Sequence, residues 1–158
     1  MSNEIQLKTT INGIEYDLTV PARLLASDFL RDNLNLTGTH VGCEHGICGS
    51  CTIKIDGLTA RSCLKFAVQL DGKKVETVES FKEKPETRNI LEKFKAHHSL
   101  QCGFCTPGFL MIIDELLKSK IKFSENEIRE ALSGNLCRCT GYENIIKAAK
   151  EILAQKVI

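Results

Sequence analysis

The eight cysteines of this 158-residue chain fall into two groups of four, and each group has its own spacing. The first group has the spacing C-x4-C-x2-C-x11-C and comprises Cys43, Cys48, Cys51 and Cys63. The second group is a C-x2-C pair followed later by a C-x-C pair, namely Cys102, Cys105, Cys137 and Cys139. Four thiolates are the ligand set of one [2Fe–2S] cluster. The two groups therefore predict two metal centres, one in each half of the chain.

Composition narrows the classes of function. The chain has 21 basic and 20 acidic residues, a net charge of +1, whereas nucleic-acid-binding domains present a basic surface, so we predict no nucleic-acid partner. No apolar run approaches the roughly 20 residues of a membrane span. The first residues show no basic segment followed by an apolar one, so we expect a cytoplasmic protein. In that compartment cysteines more often bind metal than form disulfides, and a secreted disulfide scaffold is the less favoured alternative.

Alternating apolar residues predict strands in the first half. The alternation from Ile5 to Val20 is interrupted by Asn12-Gly13, a pair that favours a type I′ hairpin turn because both positions need positive φ. Apolar residues at helical spacing over 24–34 predict a helix on one face of this hairpin. Further strands are predicted at 52–55, 58–62 and 74–78. This order of elements predicts a ferredoxin-like β-grasp domain.

The first cysteine group lies in a glycine-rich loop. Its C-x4-C-x2-C spacing with one later cysteine is that of plant-type ferredoxins. Glycines let the backbone approach a cluster closely and adopt positive φ, and the N–H groups of the loop can then point at the sulfurs. His40 and His45 lie in the same loop, but four cysteines already complete the site. We therefore expect both histidines to bond to backbone or solvent.

The second half has the pattern of four short helices in a small bundle, after a polar linker at 77–85. The Thr-Pro pair at 106–107 predicts a helix start with threonine as the N-cap and proline at the first helical position. Ser124 with Glu127, and Thr140 with Glu143, predict capping boxes at two further helix starts.

The second cysteine group lies directly before two of these helix starts, because Cys105 precedes one and Cys139 the other. Helix N-termini present unpaired N–H groups and a positive dipole end, which suit an anionic cluster. Cys137 and Cys139 are two positions apart and would face opposite sides of a helix, so we expect them on a turn. Zinc also binds four sulfurs and stays open as the alternative metal for this group.

Three motifs follow one another along the chain: GTHVGCEHGICGSCT at 38–52, QCGFCTPG at 101–108 and GNLCRCTGY at 134–142. With these motifs the chain resembles the small iron–sulfur subunits of the molybdenum hydroxylases, which include xanthine dehydrogenase, aldehyde oxidoreductase and carbon monoxide dehydrogenase. His40 and the segment 62–69 are most similar to the carbon monoxide dehydrogenase and archaeal aldehyde oxidoreductase branch. The resemblance runs almost end to end. It implies an α+β fold, with an N-terminal plant-type ferredoxin-like β-grasp domain at 1–79 and a C-terminal four-helix [2Fe–2S] bundle at 80–158.

The resemblance also implies a role in electron transfer, without a substrate site on this chain. In the family, a molybdenum–pterin centre in a large subunit hydroxylates the substrate with oxygen from water. Electrons then pass through the second cluster and the first cluster to FAD on a medium subunit. All eight cysteines would be cluster ligands. Gln101 and Cys139 match family residues that contact the pterin of the large subunit.

Three functions from different classes stay open: an electron-transfer subunit of a molybdenum enzyme, a freestanding ferredoxin and a structural zinc protein. The branch resemblance favours a small aldehyde or carbon monoxide as the substrate of the whole enzyme, and a purine is the alternative. A freestanding ferredoxin is the alternative of another class, although such a protein is expected to be strongly acidic for electrostatic steering and this chain is nearly neutral.

Overall fold

The computed structural model describes residues 3–119 and 121–154. The first half of the chain contains a mixed five-stranded sheet. The strands are β1 Glu4–Ile11, β2 Ile14–Pro21, β3 Thr52–Ile55, β4 Leu58–Arg61 and β5 Lys74–Glu76. Their order across the sheet is β2-β1-β5-β3-β4. β5 pairs in parallel with β1 and antiparallel with β3. The last strand in sequence therefore joins the two hairpins into one sheet.

Both predicted hairpins are confirmed. Asn12 and Gly13 have φ values of 51° and 84°, and Asp56 and Gly57 have φ values of 51° and 88°. Positive φ at both central residues is what a type I′ turn requires, and it matches the right-handed twist of the flanking strands. β4 ends one residue earlier than predicted, and β5 ends two residues earlier.

The helix predicted over 24–34 is only partly α-helical. α1 spans Ala26–Asp28 and continues as a π-helical turn over Phe29–Asn33, where Leu34 N–H donates to Phe29 O at 3.2 Å. Phe29 and Leu30 are fully buried against the sheet, so the predicted apolar face is confirmed. The apolar spacing of so short a segment fits both helix types, and it could not distinguish them.

Four helices form the second half, as predicted: α2 Pro85–Ala96, α3 Thr106–Lys118, α4 Glu125–Leu132 and α5 Glu143–Ala154. Their apolar faces meet in a core that includes Ile90, Phe94, Phe109, Ile128 and Ile145. α3 also packs across β3 and β4, so it contacts both halves of the molecule. Among residues 3–119 and 121–154, no helix is long and apolar enough to cross a membrane.

The predicted helix caps have different outcomes. Ser124 accepts the N–H of Glu127, and the Glu127 carboxylate accepts the N–H of Ser124, so this capping box is confirmed. α3 begins at Thr106 itself, which makes Cys105 the N-cap. The prediction of Thr140 as a cap is wrong, because α5 begins only at Glu143 and the Thr140 hydroxyl accepts the N–H of Tyr142 at 3.2 Å.

The segment predicted as a polar linker, 77–85, lies between β5 and α2 and contains regular structure. A 3₁₀-helix covers Val78–Lys82, and the fully buried ring of Phe81 packs into the helical core. Ser80 Oγ donates to Thr77 O at 2.9 Å and closes this turn. The ring of Phe81 thus anchors the segment between the sheet and the helices. Its burial could not be predicted from the sequence, because the residues around it are mostly polar.

Candidate metal centres

The first cysteine group converges at one end of the β3–β4 hairpin. Cys51 directly precedes β3, and Cys63 lies two residues after β4. Because β3 and β4 are antiparallel partners, with Thr52 opposite Arg61, their ends bring Cys51 and Cys63 together. The two Sγ atoms are 3.4 Å apart and both side chains are buried. The loop supplies the other two members, Cys43 and Cys48.

Backbone N–H groups of the loop point at the sulfur of Cys43, as the glycine-rich sequence predicts. Cys48 N–H donates to Cys43 Sγ at 3.3 Å. Hydrogen bonds from the backbone of Cys48 and then of His45 lower the pKa of the Cys43 thiol to about 6. The loop can turn in this way because Gly46 and Gly49 have φ values of +83° and +78°. This loop therefore favours a thiolate at Cys43.

Cys63 has the opposite electrostatic environment. Burial, followed by the hydrogen bond with Cys51 and the neighbouring charge of Cys51, raises the pKa of the Cys63 thiol to about 11. Two adjacent thiolates repel each other, so this pair needs a bound cation before both sulfurs can be ionised at neutral pH. A coordinated metal ion deprotonates such thiols.

The second cysteine group lies where the starts of α3 and α5 approach each other. Cys105 is the N-cap of α3, while Cys137 and Cys139 lie on the turn before α5, as predicted. Cys139 Sγ is 3.5 Å from Cys102 Sγ. The thiol of Cys105 is hydrogen-bonded to that of Cys137. Cys105 and Cys137 are buried, whereas Cys102 and Cys139 are exposed.

The buried sulfurs of this group also differ in pKa. Burial and then the hydrogen bond to Cys137 raise the pKa of the Cys105 thiol to about 12. Burial also acts to raise the pKa of Cys137, but hydrogen bonds from Thr140 outweigh it and lower that pKa below its ordinary value. The Thr140 hydroxyl lies 3.0 Å from Cys137 Sγ. Thr140 thus supports a sulfur instead of capping a helix.

The sulfur pairing fits a dinuclear cluster. Each of the two irons of a [2Fe–2S] cluster takes two protein ligands. Two sulfurs on one tetrahedral metal with bonds of about 2.3 Å lie about 3.8 Å apart, close to the 3.4 and 3.5 Å of Cys51–Cys63 and Cys102–Cys139. Disulfide sulfurs are only about 2.05 Å apart. Within residues 3–119 and 121–154 no three His, Cys, Asp or Glu side chains surround one metal position.

The two loop histidines bond to backbone carbonyls, as expected. His40 Nδ1 lies 2.8 Å from Phe104 O, and its ring stacks on Phe104 with the centroids 4.9 Å apart. His45 Nδ1 bonds to Cys43 O. His40 therefore connects the loop of the first group to the loop of the second.

The two cysteine groups meet at a direct backbone contact. Leu136 N–H, next to Cys137, donates to Cys48 O at 2.9 Å. A cavity of about 260 Å³ lies at this junction. It is lined by cysteines of both groups and by neighbouring loop residues, among them Gly42, Cys48, Cys102, Phe104, Leu136 and Cys139. The junction brings the two predicted metal centres side by side.

Sequence reasoning missed three residues of this junction: Asn135, Leu136 and Phe104. Asn135 is fully buried, and its amide lies against Gly49 and Gly108, where the backbones of the two halves approach without side chains. The signal available in the sequence was their position, because all three lie within the cysteine motifs without being ligands.

Gln101 and Cys139 are both exposed. Gln101 is exposed and directly precedes Cys102, whose sulfur contacts that of Cys139. Both residues are therefore accessible to another subunit at the exposed edge of this centre.

Comparison with known proteins agrees with this geometry. One family model, described as a [2Fe-2S] binding domain, matches residues 77–150, and another, described as a 2Fe-2S iron-sulfur cluster binding domain, matches residues 32–99. The gamma subunit of caffeine dehydrogenase from Pseudomonas sp. (strain CBB1) is 51% identical over 155 residues, which cover 96% of this chain and 92% of that one. The small subunit of nicotine 6-hydroxylase from Paenarthrobacter nicotinovorans is 46% identical over 98% of this chain and 93% of its own. The crystal structure of quinoline 2-oxidoreductase from Pseudomonas putida 86 matches with a TM-score of 0.89 and 44% identity, over 99% of this chain and 100% of that one.

The chain belongs to the small [2Fe–2S] subunits of the molybdenum hydroxylases. This confirms the resemblance based on the three motifs, and it makes the chain a subunit of an oxidoreductase. The two matched domain models, which together span both cysteine groups, support a [2Fe–2S] cluster for each group. The α+β fold is that of the iron–sulfur subunits of this family.

Proposed function

We propose that this chain relays electrons from a molybdenum–pterin centre in a large subunit to FAD in a medium subunit, through two [2Fe–2S] clusters. The observation that supports the relay is the hydrogen bond from Leu136 N–H to Cys48 O, 2.9 Å long, which connects the ligand loops of the two groups. Each bound cluster supplies one-electron redox chemistry. This chain's residues hold the two sites at a fixed distance and limit their contact with water.

The ligands of the proposed first cluster are Cys43, Cys48, Cys51 and Cys63. The ligands of the proposed second cluster are Cys102, Cys105, Cys137 and Cys139. The second cluster would face the large subunit, because Cys102 and Cys139 are exposed and Gln101 lies beside them. In this arrangement Gln101 and Cys139 contact the pterin, and electrons enter at the second cluster before they reach the first.

The proposed clusters define two proposed domains. Residues 1–79 would form the ferredoxin-like β-grasp domain, and residues 80–158 the four-helix bundle. Separate apolar cores in the sheet half and the helical half support this division. Phe81, which packs with the helices, supports a boundary just before it. We also propose a cytoplasmic location, where cysteines more often bind metal than form disulfides.

Exposed apolar side chains support the proposed partners. Leu100, Phe104 and Leu136 are between 43% and 51% exposed and lie in the sequence beside ligands of the second cluster. Ile47 and Leu64 are 59% and 58% exposed and lie next to Cys48 and Cys63 in sequence. Exposed large apolar side chains that lie together mark protein interfaces, and we propose one such patch from each of these two sets. We assign the first patch to the large subunit and the second to the medium subunit.

The substrate would bind on another subunit. A small aldehyde or carbon monoxide stays a prediction from the branch resemblance. Identities of 51% and 46% with subunits of caffeine dehydrogenase and nicotine 6-hydroxylase favour the alternative, a nitrogen heterocycle such as a purine. Dye reduction by the purified complex with xanthine, caffeine, nicotine, glyceraldehyde and carbon monoxide would separate these candidates.

The relay is tested by removing one ligand at a time from the co-expressed complex. Cys139→Ala should abolish the EPR signal of the second cluster and prevent FAD reduction by substrate, while the signal of the first cluster persists. Cys63→Ala is the matched variant and should abolish only the first signal. Both EPR signals in Cys139→Ala, or FAD reduction at the parental rate, would contradict the proposal.

A further inference from the structure

A buried ion pair joins the two halves at a distance from both cysteine groups. Lys54 Nζ on β3 contacts Asp114 Oδ2 on α3, and both side chains are 0% exposed. Lys54 Nζ also lies 3.2 Å from Glu76 Oε2, and Asp114 Oδ2 lies 2.9 Å from Lys118 Nζ. Within the described part of the chain, Asp114 Oδ1 has no hydrogen-bond partner.

Stability alone does not account for this pair. Transferring two charges from water into a protein interior is costly, and apolar residues of similar volume often give equal or greater stability. The unpartnered Asp114 oxygen adds to that cost. The best-attested use of a buried polar contact is to specify register between packed elements. Lys54 and Asp114 lie where two such elements cross.

These elements are the two that extend from the ligands. Lys54 is three residues after Cys51 along β3, which is about 10 Å at the rise of a strand. Asp114 is nine residues after Cys105 along α3, which is about 13 Å at the rise of a helix. The ion pair therefore connects the strand that follows Cys51 to the helix that follows Cys105, and these two cysteines are ligands of different proposed clusters.

The other contacts of α3 with the first half are of a different kind. At Gly108 the helix has no side chain and approaches the carbonyl of Gly49 closely. Contacts between apolar side chains are non-directional. Thr59 N–H donates to Glu115 Oε2 at 3.0 Å, but that carboxylate is on a side chain that is only partly buried. Among these contacts, the ion pair is the one in which both partners are charged and fully buried.

We propose that the Lys54–Asp114 ion pair fixes the position of α3 along β3, and thereby the separation and relative orientation of the two clusters. The inference rests on the proposed function. Lys54 and Asp114 are positioning residues, since neither is a cluster ligand and both act through the elements that hold Cys51 and Cys105.

The test replaces both charges at once, by Lys54→Met with Asp114→Leu in the purified complex. No buried charge is left unpaired, because Glu76 keeps Lys84 at 2.7 Å and Lys118 is 44% exposed. The double variant should melt at the parental temperature with two intact cluster spectra. The magnetic splitting between the reduced clusters in EPR should nevertheless change, and electron transfer between them should slow. Lys54→Met alone should lower the melting temperature.

The control exchanges an exposed pair by the same two substitutions, Lys8→Met with Asp17→Leu. That pair spans the first hairpin at 3.2 Å, with side chains 70% and 55% exposed. This control variant should leave both the magnetic splitting between the clusters and the rate of electron transfer between them unchanged.

A double variant with parental splitting and transfer rate would overturn the inference and leave the pair a purely structural role. If the double variant does not assemble, Asp114→Leu is measured instead. It removes both side-chain oxygens that could hold Lys54 while Lys54 keeps Glu76 at 3.2 Å, and an unchanged splitting there would also overturn the inference. Fewer than four irons per chain in the parent, or a single cluster signal, would instead refute the proposed function itself.

Discussion

Gly108 is the position where α3 comes closest to the loop of the first cysteine group, and its replacement by alanine tests the packing of the junction. A Cβ atom built on Gly108 would have a clearance of only 2.3 Å from the carbonyl oxygen of Gly49 and from Asn135 Nδ2. Ordinary van der Waals contact begins at 3.4 Å. One of the two backbones must therefore move by about 1.1 Å, the difference between these values.

Two opposing effects set the magnitude. Overpacking a well-packed site by one carbon costs about 1–3 kcal/mol. Alanine is a better helix former than glycine by about 1 kcal/mol, which offsets part of that cost. The oxygen of Gly49 belongs to the backbone and cannot rotate away as a side chain would. The two effects together leave a net cost of about 0–2 kcal/mol. Because the Gly49 oxygen cannot move aside, we expect the upper half of this range, about 1–2 kcal/mol, which for a chain of this size lowers the melting temperature by about 2–8 °C.

The assay is loss of cluster absorbance on heating, with Gly134→Ala as the matched control. A Cβ atom on Gly134 would meet only Nη2 of Arg61 at 3.0 Å, the end of a flexible side chain that can move aside. We expect the control to melt within about 2 °C of the parent, because surface substitutions rarely exceed about 0.5 kcal/mol. Equal melting temperatures for the two variants would refute the close packing of α3 on the loop.

Removal of the clusters should unfold both halves, because ligand binding supplies folding free energy to small metal-binding domains; cluster-free protein with an unchanged circular-dichroism melt would contradict this. Thr87→Val should destabilise the chain by about 1–2 kcal/mol, since the single O–H of the buried threonine is shared between Phe81 O at 2.9 Å and Lys84 O at 3.0 Å, and its loss leaves both carbonyls without that donor. A urea unfolding midpoint equal to that of the parent protein would contradict this expected destabilisation. Ser124→Ala removes a helix cap and should cost about 1 kcal/mol, whereas Ser124→Asn should retain most of the stability in the same denaturation experiment.

Features that depend on neighbouring residues could be predicted from the sequence. Asn12-Gly13 and Asp56-Gly57 specify their turns through the backbone preferences of two adjacent residues, and the structure has positive φ at all four positions. The spacing of the cysteines likewise specified which residues come together, since pairs such as Cys51 and Cys63 follow from the β3–β4 hairpin. Local rules were sufficient there.

Features that depend on distant segments could not be predicted. Alternation along β3 assigns Lys54 to the face opposite Ile53, which for a lysine normally means solvent. That face is buried only because α3, some 60 residues away, covers it and supplies Asp114. A signal was present in α3, where Asp114 directly follows the apolar run 109–113, but its partner could not be identified from one sequence. Phe81 is a similar case, because its burial depends on helices that follow it.

In each proposed cluster, one pair of ligands is more deeply buried than the other pair. This asymmetry is relevant to how an electron relay works. The buried ligands are Cys51, Cys63, Cys105 and Cys137. Burial raises the pKa values of Cys63 and Cys105, so these sulfurs depend on the metal for ionisation and make each site selective for a bound cation. The exposed sulfurs of Cys102 and Cys139 leave one edge of the second centre open to a partner subunit. A carrier that must accept electrons at one surface and pass them inward needs both environments, and the junction at Leu136 places the inner edge of the second centre against the loop of the first.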